Sequence, residues 1–160
     1  MVFVDKLKTY LIMFLLFLLE RVLFARLNIF GLNPWISLAF VLSVSSVCDD
    51  FDKSMILAFI SGLILDLLGG GIFGSGMLVF VLSALFINLL TKKLLKTNFI
   101  LSLVLIFIAF LLGESVYFLI NNKSLTGIFG SLLLLAFINT VISVIFYPLA
   151  KSLEKGGRRI

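Results

Sequence analysis

Residues 62–74 read GLILDLLGGGIFG and place one acidic residue, Asp66, and a run of glycines in an otherwise apolar stretch. An ionised side chain at membrane depth is costly and usually has a function there. The stretch therefore predicts a membrane helix that carries Asp66 near its end and then turns on glycines.

The composition of the whole chain agrees with a membrane location. Hydrophobic residues make up 62% of the 160 residues, charged residues 13%, and the mean hydropathy is +1.27. Soluble domains are about half apolar and a quarter charged. Backbone in lipid must form helices or closed barrels, and long apolar runs without strict alternation favour helices. The sequence predicts an all-α membrane protein.

The apolar runs predict one integral membrane domain, residues 1–160, built as a polytopic bundle of six transmembrane helices. The spans are approximately residues 7–25, 31–48, 54–69, 72–91, 97–120 and 125–150. Basic residues gather at one set of span ends: Lys6, Lys8, Lys53, Lys92, Lys93, Lys96, Lys151, Lys155, Arg158 and Arg159. The positive-inside rule then places both termini in the cytoplasm.

Several kinds of chemistry are excluded or disfavoured. The chain has no histidine and only one cysteine, Cys48. It therefore lacks histidine-based metal sites and Ser-His or Cys-His nucleophiles, and no internal disulfide forms. The net charge of +5 lies in loops and tails between apolar runs, which fits membrane topology better than nucleic-acid binding. We expect no catalytic residue, metal or cofactor.

Five polar residues form a predicted cluster in the outer half of the membrane: Glu20, Arg21, Asp66, Glu114 and Asn139. Counting from the cytoplasmic ends of their spans places the three acids at depths of about 18, 20 and 24 Å. One interpretation is a cavity that opens outward, in which an arginine offsets part of the negative charge. The alternative is that each acid caps or hydrogen-bonds a helix near the interface.

Small residues recur every fourth position through the third span: Ser54, Ala58, Gly62, Asp66 and Gly70. This spacing gives one helical stripe on which another backbone packs closely, and it predicts that the third span is a central packing helix. Gly69, Gly70, Gly71 and Gly74 are predicted to form a tight turn, with a ligand-cradling or re-entrant loop as the alternative.

The last span has a small and polar face made of Ala136, Asn139, Thr140 and Ser143. We expect this face to point inward and form hydrogen bonds between helices. Pro148 is expected to kink or end the helix near the cytoplasmic surface. The basic tail that follows is expected to contact anionic membrane lipids, with a contact to a cytoplasmic partner as the alternative.

Three stretches, in this order, resemble the MreD family of the bacterial rod-shape system. Residues 20–34 resemble its first helix end and loop. Residues 62–74 resemble its signature G-x-x-x-D-x-x-[ST]-G-x-x-x-G, with Gly69 at the Ser/Thr position. Residues 139–148 resemble its closing helix with Asn and Tyr-Pro.

The resemblance implies a non-enzymatic subunit of the elongasome in the bacterial cell (inner) membrane. Its expected partner is MreC and, indirectly, the MreB filament, RodA and the class B penicillin-binding transpeptidase of lateral peptidoglycan synthesis. A second copy of the chain is a further candidate partner. The family has been likened to the substrate-binding S-components of energy-coupling-factor (ECF) transporters, so the alternative function is a small-molecule-binding transporter subunit.

Overall fold

The computed structural model of the chain describes residues 2–20, 34–69, 72–94, 98–120 and 129–157. Within these ranges the protein has six α-helices and no strand, which confirms the all-helical prediction. The helices are α1 (Val2–Leu19), α2 (Ile36–Val47), α3 (Phe51–Gly69), α4 (Ser75–Leu94), α5 (Phe99–Ile120) and α6 (Phe129–Gly157).

Two helical segments are long and apolar enough to cross a bilayer, Phe99–Ile120 and Gly130–Glu154. Three further segments are apolar but shorter: Thr9–Leu19, Ile36–Val47 and Ser75–Thr91. Length and composition therefore support a membrane protein most directly through α5 and α6.

The centre of the bundle is α2, a helix of 12 residues that packs against each of the other five helices. Its residues from Ile36 to Ser45 are all buried. The prediction that the third span is central is therefore wrong, because α3 makes its extensive contacts with α4 and α2 only. The small-residue stripe of α3 faces α4, so it identifies a close helix pair rather than the middle of the bundle.

The helices around α2 follow one another in the order α1, α6, α5, α4 and α3, and each packs against the next. α1 and α3 form the two edges of this arrangement. A side-chain contact from Ser61 Oγ to Met13 Sδ, 2.7 Å long, links these edges. The outward side of α3 is exposed: Ile56, Phe59 and Leu67 are 49%, 47% and 65% exposed.

The bundle has two polar ends. We call them the Lys53 end, at the start of α3, and the Asp66 end, at the end of α3. At the Lys53 end, Lys53 Nζ lies 3.2 Å from Glu154 Oε2 and joins the start of α3 to the end of α6. Asp50 caps α3 there, since its Oδ1 accepts a 3.2 Å hydrogen bond from the Lys53 amide.

Two helix boundaries differ from the predicted spans. α2 begins only at Ile36, because Pro34 and the non-helical Trp35 precede it; residues 31–33 lie outside the described ranges. α6 continues through Pro148 to Gly157, so of the two expectations for Pro148, a kink or a helix end, the helix end is wrong. Tertiary contacts anchor the helix on both sides of the proline. Before it, Tyr147 packs edge-to-face on Phe99 of α5 at 5.0 Å, and after it, Glu154 pairs with Lys53 of α3.

Candidate functional site

Asp66, near the end of α3, accepts hydrogen bonds from the backbone amides at the start of α4. Its Oδ1 accepts a hydrogen bond from the Gly76 amide at 2.7 Å, and its Oδ2 accepts from the amides of Gly74 and Met77 at 3.0 Å each. The first amides of a helix have no partner within the helix, and their partial positive charge attracts a carboxylate. Asp66 satisfies three of them at once from the neighbouring helix.

The glycines around Asp66 make this contact possible. A Cβ on Gly62 would overlap the Met77 Cα and lie 2.7 Å from the Met77 nitrogen, so α3 and α4 touch backbone to backbone. A Cβ on Gly76 would lie 2.7 Å from Asp66 Oδ1. Gly74 has a φ of +94°, a conformation that side chains with a Cβ rarely adopt. We call Gly62, Asp66, Gly74, Gly76 and Met77 the α3–α4 junction.

A second polar site surrounds the start of α2. The Trp35 amide donates a 3.0 Å hydrogen bond to Asn139 Oδ1 on α6, and the Ser37 amide donates a 2.7 Å bond to Glu20 Oε2 at the end of α1. Glu20 and Asn139 are both buried. The free amides of a second helix start are thus satisfied by side chains from other helices, as at the α3–α4 junction.

Glu114 completes this second site and differs from the other acids. Its Oε1 accepts a 2.9 Å hydrogen bond from Asn139 Nδ2, while its Oε2 is buried without a hydrogen-bond partner. Only 1% of the Glu114 surface is exposed. The hydroxyl of Ser37 is also buried without a partner. Unsatisfied buried polar groups are unusual and indicate a site where a polar group could bind.

Aromatic rings lie beside these polar groups. Trp35 packs edge-to-face on Tyr117 at 4.8 Å and stacks on Phe80 with ring centroids 6.3 Å apart. Tyr117 follows Glu114 by one helical turn on α5. Trp35 therefore connects α2 to α4 and α5 through aromatic packing while its amide bonds to α6.

Among the predicted cluster residues, the structure brings Glu114 and Asn139 into direct contact. Glu20 binds the same helix start through the amide of Ser37, two residues after Trp35. Asp66 is separate, since its three recorded hydrogen bonds go to the start of α4. Arg21 lies outside the described residues, so its predicted pairing is untested. Glu20 and Asp66 accept backbone amides at helix starts, as the helix-capping interpretation predicts. Glu114 differs, because its Oε2 has no hydrogen-bond partner.

The predicted packing and turn residues have specific positions. Ala58 and Gly62 are buried on the stripe of α3, Gly69 is the last residue of that helix, and Gly74 belongs to the turn. Gly70 and Gly71 lie outside the described residues. On α6, Ala136, Asn139 and Ser143 are fully buried, as the predicted inward face requires. Thr140 of that face is only half-buried, and its hydroxyl donates a 2.7 Å hydrogen bond to the Ala136 carbonyl of the same helix.

A buried hydrogen-bond chain was not predicted from the sequence. Asn88 Nδ2 on α4 donates to Ser54 Oγ at 2.8 Å, and Ser54 Oγ donates to Ser45 Oγ on α2 at 2.6 Å. Asn88 is 1% exposed and lies within an apolar run, which is the signal that could have identified it. The described part of the chain holds no group of three or more acidic or cysteine residues placed to bind a metal.

The fold and these sites define a helical, membrane-associated protein in which polar side chains satisfy helix starts inside an apolar bundle. The chain belongs to the MreD family, described as rod shape-determining protein MreD; the family model matches residues 2–155. This confirms the resemblance drawn from the sequence. The family determines cell shape and is not known for catalysis. No curated protein and no solved structure matches the chain significantly.

Proposed function

We propose that this protein is a non-enzymatic membrane subunit of the elongasome that acts through MreC to scaffold or regulate lateral peptidoglycan synthesis and rod shape. The match to the MreD family over residues 2–155 is the observation that carries the proposal. The α3–α4 junction supports it, because Gly62, Asp66 and Gly74 of the signature each have a structural role.

The proposed topology has six spans in the cytoplasmic (inner) membrane with both termini in the cytoplasm. The connected helix ends support it: Lys53 on α3 pairs with Glu154 on α6, while Glu20 and Asn139 meet α2 at the other end. Successive helices therefore run in opposite directions. The basic residues of the chain then place the Lys53 end in the cytoplasm.

A non-enzymatic role agrees with how the acids are used. Asp66 and Glu20 accept hydrogen bonds from backbone amides, so their oxygens are engaged in holding helix starts. A paired-carboxylate mechanism requires two acids that reach one substrate. Asp66 and Glu114 belong to different sites, and Glu20, which shares the second site with Glu114, accepts the Ser37 amide.

The small-residue stripe of α3 is covered within the chain and is not the surface that we propose for the partner. Ala58 and Gly62 are buried within the chain, and Gly62 is covered by the α4 backbone. We therefore propose that MreC meets large apolar side chains on an outer face and does not bind the small-residue stripe. RodA, the transpeptidase and MreB are proposed as indirect partners, and membrane lipids and a second copy of the chain as further ones.

The test is copurification of a tagged chain with MreC from membranes in a mild detergent, together with cell shape in a deletion strain. We expect equal-copy recovery of MreC and loss of rod shape. Recovery without MreC, with wild-type shape in the deletion strain, would reject the proposal.

One observation favours a second candidate function, a subunit that binds a small molecule. The unpartnered Oε2 of Glu114 and hydroxyl of Ser37, beside Trp35 and Tyr117, could accept a ligand that donates hydrogen bonds. Mass spectrometry of the purified chain tests this function. A stoichiometric small molecule that is lost in Glu114→Leu would support it, and an empty chain would reject it.

A further inference from the structure

We propose that the outer face of α3 binds the single membrane-spanning helix of the partner, with Asp52 facing basic residues at the cytoplasmic end of that helix. This inference rests on the proposed function, in which the partner is MreC. It adds the surface and the chemistry by which the partner is recognised.

The proposed face is a stripe of α3 that points away from the bundle, named here the α3 outer face: Asp52, Ile56, Phe59, Leu63 and Leu67. These residues follow one another at spacings of three or four, which places them on one side of a helix. Phe59 is 47% exposed and Leu67 65%. From Asp52 to Leu67 the face is about 22 Å long, most of the thickness of the hydrocarbon core.

The contacts of α3 within the chain leave this face exposed. α3 packs extensively against α4 and α2, while the contact of Ser61 with Met13 links it to α1 on its buried side. A partner helix on the α3 outer face would add a neighbour without displacing any described helix.

Charge distinguishes this face from the outer faces of the other helices. The cytoplasmic ends of α1, α4 and α6 carry lysines, and Lys96 precedes α5: the residues are Lys6, Lys8, Lys92, Lys93, Lys96, Lys151 and Lys155. At the start of α3, Asp49, Asp50 and Asp52 are all exposed, and Lys53 is paired with Glu154. The α3 end is therefore the acidic one at an otherwise basic membrane surface.

A single-span membrane protein usually has Lys or Arg at the cytoplasmic end of its helix. Such residues are repelled by the lysines at the other helix ends and attracted by Asp52. Large apolar side chains above Asp52 then supply the packing surface, since packing rather than hydrophobic burial drives helix association in lipid. The charge pattern and the exposed face together favour a partner helix with a basic cytoplasmic end.

Disulfide crosslinking in native membranes tests the proposal. In a Cys48→Ser background, Phe59→Cys is coexpressed with the partner carrying one cysteine at mid-span, and the membranes are oxidised with copper phenanthroline. Ile108→Cys is the matched control, since Ile108 is 38% exposed and its depth in α5 is within one residue of that of Phe59 in α3. We expect a crosslinked heterodimer with Phe59→Cys and little with Ile108→Cys.

A second variant tests the proposed contact between Asp52 and the basic residues of the partner. Asp52→Lys in the Phe59→Cys chain should lower the heterodimer yield about fivefold, the effect of losing a charge contact of about 1 kcal/mol. Replacing the basic residues of the partner by acidic ones should restore the yield in Asp52→Lys. Such rescue requires direct contact, whereas a general loss of folding would not be rescued.

Each other outcome overturns the proposal in a distinct way. If the partner copurifies but crosslinks equally or better through Ile108→Cys, or through neither cysteine, the α3 outer face is wrong and the proposed function stands. Crosslinks between two copies of the chain through Phe59→Cys would assign the face to a homodimer. If the partner does not copurify, the proposed function fails together with this inference.

Discussion

Substitution of Asp66 tests the account of the α3–α4 junction most directly. In Asp66→Leu, the amides of Gly74, Gly76 and Met77 all lose their acceptor. Hydrogen bonds to a charged group contribute about 1.5–3 kcal/mol each, and they are not additive when one side chain accepts all of them. We expect the free energy of unfolding to fall by about 4 kcal/mol or more.

Asp66→Asn should have an intermediate effect, for a reason visible in the geometry. The amide oxygen of asparagine can replace Oδ2 and accept from Gly74 and Met77, but its NH₂ group would then face the Gly76 amide across 2.7 Å. One hydrogen bond is lost and two donors are opposed, so we expect a loss of about 2 kcal/mol.

The assay is reversible unfolding of the purified chain in mixed micelles, followed by far-ultraviolet circular dichroism. The control is Asp52→Asn, because Asp52 is an exposed acid of the same helix, and its loss should cost less than about 0.5 kcal/mol. Equal stability of the wild-type, Asn and Leu chains would refute the reasoning, as would a leucine variant more stable than the asparagine one.

Three further predictions use the same unfolding assay. Gly62→Ala should destabilise the chain by about 2 kcal/mol, because its Cβ would overlap the α4 backbone; wild-type stability would contradict this contact. Asn139→Leu should lower the free energy of unfolding by about 3 kcal/mol, because leucine leaves the Trp35 amide and the Glu114 carboxyl unpaired. Glu114→Gln should lower it by less than about 1 kcal/mol, because glutamine still accepts from Asn139. A larger loss in Glu114→Gln than in Asn139→Leu would contradict this hydrogen-bond arrangement. A double-mutant cycle of Lys53→Ala and Glu154→Ala should give a coupling of about 1 kcal/mol, and zero coupling would show that the pair does not join α3 to α6.

Gly130→Ala is the matched control for the glycine prediction. A Cβ on Gly130 would meet no atom within 4 Å, so this substitution in α6 should not destabilise the chain. Alanine also has the higher helix propensity. If both alanine variants lose the same stability, helix packing at Gly62 is not the cause.

Features that depend on one helix alone could be predicted from the sequence. The apolar runs predicted the helices, and the spacing of Ala58 and Gly62 predicted a close-packed stripe that the structure places against α4. The inward face of α6, with Asn139 and Ser143, followed in the same way from helical periodicity.

Features that depend on rotation about the helix axis could not be predicted. Counting residues from a charged end estimates depth, and similar depths suggested one cluster of acids. Depth does not say which direction a side chain faces, so Asp66 was grouped with Glu114 although it contacts the start of α4. The central position of α2 was hidden for a related reason: it is apolar with serines on all sides, so no face stands out as the buried one.

The burial of α2 also bears on how the chain is made. This helix of 12 residues is about 18 Å long, shorter than the hydrocarbon core is thick. The Trp35 amide at its start bonds to Asn139, which lies 104 residues later in the chain. During synthesis the Trp35–Asn139 hydrogen bond and the packing of α2 on α6 can therefore form only after α6 has been made. A ribosome-bound chain that ends before α6 should stay with the insertion machinery, and premature truncation should send the protein to membrane proteases rather than leave a smaller functional product.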